Sequence, residues 1–205
     1  MSPKPLVLAS SSRYRKALLE RLGQPFESAS PDIDESAHQG EAAEALTTRL
    51  ALEKAQALST RFQNHWIIGS DQVATLADGS ILTKPGNFDR ACDQLSRCSG
   101  QRVRFLTGLA LLDSASGETI ALCEPFDVHF RTLSLTDIEH YLKTETPYDC
   151  AGSFRMEGLG IALFDRLEGR DPNSLIGLPL IALCDMFRRW GLDPLAEAYR
   201  NSSRD

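Results

Sequence analysis

Hydrophobic residues in this chain come mostly in short runs, and each run stops at a residue suited to begin or end an element. Leu6-Val7-Leu8-Ala9 is uninterrupted and predicts a first strand. Ser10-Ser11-Ser12 then supplies helix caps, and Leu18, Leu19 and Leu22 recur at helical spacing across Tyr14 to Leu22, with Gly23 as the stop. Residues 25–29 predict a second strand, and the acidic, polar stretch Pro31 to Glu41 a loop. The longest helical pattern runs from Glu41 to Phe62, with Ala45, Leu46, Leu50, Ala57 and Leu58 on one broad face.

Trp66 to Ser70 predicts a strand that ends at Asp71, and a second short strand crosses Val73 to Leu76. Asp78-Gly79 turns the chain toward Ile81-Leu82. Asn87 caps a helix reaching about Cys98, which Gly100 ends. Arg102 to Leu112 and Thr119 to Phe130 predict a hairpin through Ser114-Ala115-Ser116-Gly117. Ser134 to Asp137 resembles a capping box opening a helix to Leu142. Cys150 to Gly160 is irregular, Ile161 to Leu167 is a last strand, and Pro179 to Trp190 is a closing helix with Gly191 past its end. Strands interleaved with helices, plus a hairpin, predict an α/β fold with a mixed central sheet flanked by helices. Residues 1–198 are expected to form a single domain, and the tail 199–205 to fray.

Composition narrows the function. With 205 residues, 42% hydrophobic and 24% charged, the chain suits a globular protein. No apolar run approaches the roughly 20 residues of a membrane helix. The apolar part of the N-terminus, Pro5 to Ala9, is too short for a signal peptide, so a cytoplasmic location is expected. The net charge of −6 argues against a nucleic-acid polymer as partner but leaves room for a small anion held by a local cluster of cations. The five cysteines are scattered without a C-x-x-C pair, as expected of reduced thiols.

Asp71 is the residue that burial alone does not explain. An ionised carboxylate following an apolar run and preceding Val73 and Ala74 needs a partner, a hydrogen bond or a metal. With Asp34 and Glu35 from the acidic loop it forms a hard-oxygen set suited to Mg²⁺ or Mn²⁺, or else it is a turn-forming Asp and the others are solvated acids. Ser10 to Lys16 runs from a strand into a helix through three hydroxyls, with Arg13, Arg15 and Lys16 just inside. Free N–H groups there attract phosphate, and three cations in a first turn oppose the helix dipole unless an anion offsets them. Lys54 reads first as a surface lysine beside Glu53, whereas Lys84 is more suggestive, because it emerges where Pro85 fixes the chain. Ala151 to Gly160 carries three glycines, which permit close backbone approach to a ligand and equally suit a plain loop.

Taken in order, LVLASSSRYRKALLERLG, IDES, RLALEKA, IIGSDQV, KP, SGQ, AGSF followed by EG, and IGLP resemble the Maf family of nucleoside triphosphate pyrophosphatases, from Leu6 to Trp190. GSDQV, CAGSFRMEGLGI and RLEGRDPNSLIGLPLIALC resemble its subfamily associated with 7-methyl-GTP. The resemblance implies an inosine-triphosphatase-like α/β fold, two lobes with a cleft, and a homodimer. It implies hydrolysis of a nucleoside triphosphate to monophosphate and pyrophosphate with a divalent metal (Mg, Mn or Co). It makes Asp71 the proton acceptor and, with Glu35, a metal ligand. Ser10, Arg15, Lys54 and Lys84 would hold the triphosphate, and Tyr14, Gln72 and Glu157 would set base specificity. Arg13 stands where the family usually has Pro, and Tyr14 where the subfamily often has Trp. Pyrophosphatase action on other nucleotides, and a non-catalytic nucleotide-binding regulator of cell division, remain as alternative readings.

Overall fold

The computed structural model describes residues 4–202. Its strands are β1 (Leu6–Ala9), β2 (Phe26–Ala29), β3 (Trp66–Thr75), β4 (Ile81–Leu82), β5 (Arg102–Asp113), β6 (Thr119–Phe130) and β7 (Phe164–Gly169). Its helices are α1 (Arg13–Glu20), α2 (Ala43–Ala57), α3 (Phe88–Cys98), α4 (Leu135–Glu145), α5 (Leu180–Arg189) and α6 (Pro194–Ser202). The hydrogen-bonded order is β2-β1-β3-β5-β6-β7, with β4 on β3. β1 is parallel to β2 and β3, with Leu6 opposite Phe26 and Trp66, whereas β4 on β3 and β7 on β6 are antiparallel. This is the mixed α/β sheet that the alternation of elements predicts. None of the helices among the described residues is long and apolar enough to cross a membrane.

The chain divides into two compact units. Met1–Asp71, Thr107–Glu124 and Gly177–Asp205 form the first, Gln72–Leu106 and Pro125–Ile176 the second. In the first, Val7, Ala9, Ala55, Leu58, Phe62, Ile67 and Leu112 pack together, and Trp66 stacks on Phe187 at 6.3 Å. In the second, Phe154 sits edge-on to Phe105, Phe130 and Phe164, with ring centroids 5.3, 5.8 and 4.9 Å away. The burial of β5 follows this division: it alternates from Arg102 to Phe105 and is continuous from Thr107 to Leu112. The first part is therefore covered on one face and the second on both.

Several boundaries differ from the sequence reading. β3 is one strand of ten residues and runs through Asp71, because a lysine distant in sequence supplies the counter-charge. Helix α2 starts at Ala43 because Glu41 is drawn out to Arg49. Ile161 and Ala162 lie in a 3₁₀ turn, Leu159–Leu163, and β7 starts at Phe164. Arg131, just past β6, ties this turn down: its N–H donates to the Leu163 carbonyl and its Nε to that of Ala162. Pro172–Ile176 is a further 3₁₀ turn. Asp193 caps α6 by accepting from the Leu195 N–H, so the first residues of the expected tail are helical, and residues 203–205 lie outside the described residues. None of the five cysteines, all of them among the described residues, is in a disulfide.

Candidate active site

The first unit's site is built by bringing α2 unusually close to the sheet. Thr47, Ala51 and Ala55 form a small, fully buried face on α2. A β-carbon at Gly69 of β3 would lie 1.9 Å from the Ala51 carbonyl oxygen, and one at Gly108 of β5 would lie 2.0 Å from that of Thr47. Only glycine permits so close an approach. Gly69 and Asp71 share one face of β3 through the two-residue alternation, and Lys54 lies one turn along α2 from Ala51. Lys54 is thereby carried inward: its side chain is 7% exposed, and Nζ donates to Asp71 Oδ1 at 2.6 Å. The same Nζ lies 2.8 Å from Glu35 Oε1. One ammonium thus joins two of the three acids singled out in the sequence, Glu35 and Asp71.

Glu35 reaches this point because its loop is tethered. Arg49 of α2 donates Nε and Nη2 to the two Glu41 carboxylate oxygens at 2.7 Å each, and Nη2 also donates to the Ser36 carbonyl at 3.0 Å. Asp34 is used within the loop, accepting from the Ser36 N–H at 2.9 Å. Arg49 holds the Glu41 carboxyl down at about 2, from an ordinary 4.5. A depressed carboxylate stabilises the fold above its ordinary value and loses that contribution as pH falls through its folded value. Arg49→Ala is expected to return Glu41 toward 4.5 in a carboxyl NMR titration, and to remove the part of the stability that the wild type loses as pH falls from about 4.5 to about 2.

Arg15 is half-buried behind the pair. Its Nε donates to the Gly177 carbonyl and its Nη1 to that of Ser70, both at 2.8 Å. Burial pulls its pKa down, and Asp71 and Glu35 partly restore it, which places the guanidinium within the field of both acids. Gly177 has φ +108, and a β-carbon there would stand 3.0 Å from Arg15 Nε. The fully buried Ser70 hydroxyl lies 2.9 and 2.8 Å from the Gly108 and Gly177 carbonyls. Ser10 is buried; its Oγ accepts from the Ser12 N–H, while Ser12 caps α1 by accepting from the Arg15 N–H. Tyr14 is half-buried, with the Arg13 guanidinium 4.8 Å above its ring and bonded to its hydroxyl.

Gln72, Lys84 and Glu157 belong to the second unit. The Gln72 side chain donates to the Ser174 carbonyl. Lys84 and Glu157 are exposed. Gln94 of α3 donates to the Thr83 carbonyl at 2.9 Å and accepts from the Ser153 hydroxyl at 2.7 Å, while Gly86 N–H donates to the Tyr148 carbonyl. The turn that carries Lys84 is therefore fastened to the glycine-bearing loop.

Ser70, Gly177, Arg49 and Gln94 have no role in the sequence reading. Lys54 had a visible signal: three residues after Ala51 and four after Leu50, it falls on the buried face of α2. Among the described residues no three His, Cys, Asp or Glu side chains gather as a metal cage. The two carboxylates meeting at Lys54 are hard donors of the kind Mg²⁺ and Mn²⁺ use together with waters and substrate phosphates, so the residues present fit such an ion.

Comparison with known proteins adds to this geometry. A family model described as "Maf-like protein" matches residues 5–190. A "7-methyl-GTP pyrophosphatase" of Chromohalobacter salexigens is 60% identical over 190 residues, covering 93% of this chain and 98% of that protein. One of the same name from Colwellia psychrerythraea is 54% identical over 194 residues, covering 95% and 96%. Among solved structures, the Ham1 protein of Staphylococcus aureus aligns with a TM-score of 0.43 at 14% identity, over 62% of this chain and 72% of that one. A HAM1 protein from Coxiella burnetii aligns with the same TM-score at 17% identity, over 62% and 73%. With the family match spanning nearly all of its length, and relatives this similar end to end, the chain belongs to the Maf family.

Proposed function

We propose that this chain hydrolyses a nucleoside triphosphate between its α- and β-phosphates, with 7-methyl-GTP as the preferred substrate. The observation that carries the reading is the meeting of Glu35 and Asp71 on the buried ammonium of Lys54, with Arg15 beside them. The names of the two relatives support the substrate. Asp71 accepts a proton from the attacking water as its oxygen bonds to the α-phosphorus. The bond from that phosphorus to the bridging oxygen breaks, and its electron pair leaves with pyrophosphate. Lys54 and Arg15 supply positive charge where phosphate oxygens gather it. Ser10 and Lys84 are the remaining candidates for holding the triphosphate.

Glu35 and Asp71 would hold a divalent cation (Mg, Mn or Co), which when bound neutralises phosphate charge and orients the reacting groups. Tyr14, Gln72 and Glu157 are the base-selecting candidates. N7-methylation makes the guanine ring cationic, so an aromatic face attracts it by roughly 0.5–2 kcal/mol, and the Glu157 carboxylate complements its charge. The nucleotide is the partner in this reading, with neither nucleic-acid polymer nor membrane, in a cytoplasmic homodimer.

The test is turnover of a panel of triphosphates with Mn²⁺ or Mg²⁺ in ¹⁸O-water. Pyrophosphate release with the label in the nucleoside monophosphate is expected, and fastest with 7-methyl-GTP. Label in pyrophosphate, or orthophosphate as first product, would overturn the mechanism. Tight nucleotide binding without turnover would return the regulator reading.

A further inference from the structure

Glu157 lies on a loop whose two shoulders are fastened to one face of α4. On one side, Arg155 donates its backbone N–H to the Tyr141 hydroxyl at 2.9 Å and its Nη2 to the Glu145 carbonyl at 2.6 Å. On the other, Leu159 donates its backbone N–H to Glu145 Oε1 at 3.0 Å. Tyr141 and Glu145 are one helical turn apart and so share a face. The loop closes on itself as well, since the N–H groups of Gly158 and Gly160 both reach the Arg155 carbonyl. A β-carbon at Gly158 would lie 2.7 Å from Glu145 Oε2, and one at Gly160 would lie 2.1 Å from the Arg155 carbonyl oxygen. The carboxylate of Glu145 therefore packs directly on the backbone that follows Glu157.

The arrangement also carries a cost. Glu145 Oε2 and Arg155 Nη1 are 3.8 Å apart, a long ion pair, and Arg155 Nε is buried without a hydrogen-bond partner. Leaving a buried donor unpaired is unfavourable. The grip nevertheless fixes residues 155 and 159 on either side of position 157, whose own side chain is exposed.

We infer that Glu145 is a positioning residue for base selection: it holds the loop so that the Glu157 carboxylate is presented in one place. The inference rests on the reading of Glu157 as the base-selecting acid. A contact misplaced by about an ångström loses much of its effect, so Glu145 acts on discrimination between bases more than on the phosphate chemistry.

The experiment compares kcat/KM for 7-methyl-GTP and GTP in the full chain, with Tm measured alongside. Glu145→Ala is expected to lower the 7-methyl-GTP:GTP ratio roughly tenfold, mainly through a higher KM for the methylated nucleotide. Glu145→Gln keeps an acceptor for the Leu159 N–H and is expected to recover part of the ratio; it also carries the test if the alanine variant does not fold. Glu157→Gln is the control. If it lowers the ratio and neither Glu145 variant does, the inference is wrong while the reading of Glu157 stands. An equal loss for both nucleotides in the Glu145 variants would make the residue merely structural and also overturn it. If Glu157→Gln leaves the ratio unchanged, the reading of Glu157 fails and the inference with it.

Discussion

Asp71→Asn is expected to lower kcat by about 10³-fold, within the range for loss of a general base, while the protein stays folded. The amide keeps the shape of the carboxylate and an oxygen that can still accept from Lys54 Nζ, now 2.6 Å from Asp71 Oδ1. It cannot take a proton from water, and it removes one of the two acids at the ammonium. Glu35 remains beside Lys54 at 2.8 Å, so the buried cation is not left alone. The stability loss should then stay within the about 1.5–3 kcal/mol of a hydrogen bond to a charged group. Pyrophosphate release and thermal melting of the two proteins decide the matter. Turnover within tenfold of wild type would remove Asp71 from the chemistry.

Gly69→Ala is the largest expected effect on the fold. The added carbon would stand 1.9 Å from the Ala51 carbonyl oxygen and 3.0 Å from the Ala55 nitrogen, both backbone atoms of α2 that cannot rotate away. The helix must move off the sheet. Overpacking of this kind costs about 3 kcal/mol or more, which lowers Tm by roughly 10 °C in a chain of this size. Because Lys54 is carried by the same helix, the shift also opens the Lys54–Asp71 contact, so activity should fall further than the lost stability alone requires. A variant that melts near the wild-type temperature would mean the helix-to-strand approach is looser than described.

The parts of the fold that the sequence made legible are those governed by neighbours. The Ser12 cap of α1, the Asn87 cap of α3 and the reciprocal Ser134–Asp137 box of α4 all rest on side chains reaching a few residues along the chain. The hairpin of β5 and β6 has its turn signals in place. Helix α6 also had its signal in Asp193-Pro194, an N-cap followed by a proline at the first helical position, which the sequence reading passed over. What stayed hidden depends on distant contacts. Asp71 reads as the end of a strand until Lys54 is seen beside it. Gly69 and Gly108 look like weak points in strands until α2 is laid on them. In the candidate site, Glu35, Lys54 and Asp71 were named from the sequence. Their order was not: Lys54 is the joint between the acids, and Arg49 and Glu145 reveal their tethering roles only through loops folded against them.

A lysine seated between two acids lets the polypeptide close around them with no help from solution. Glu35 and the buried Asp71 would otherwise repel each other, and the ammonium that settles them is already attached to the chain. The fold can therefore complete this corner as soon as its helix meets its strand.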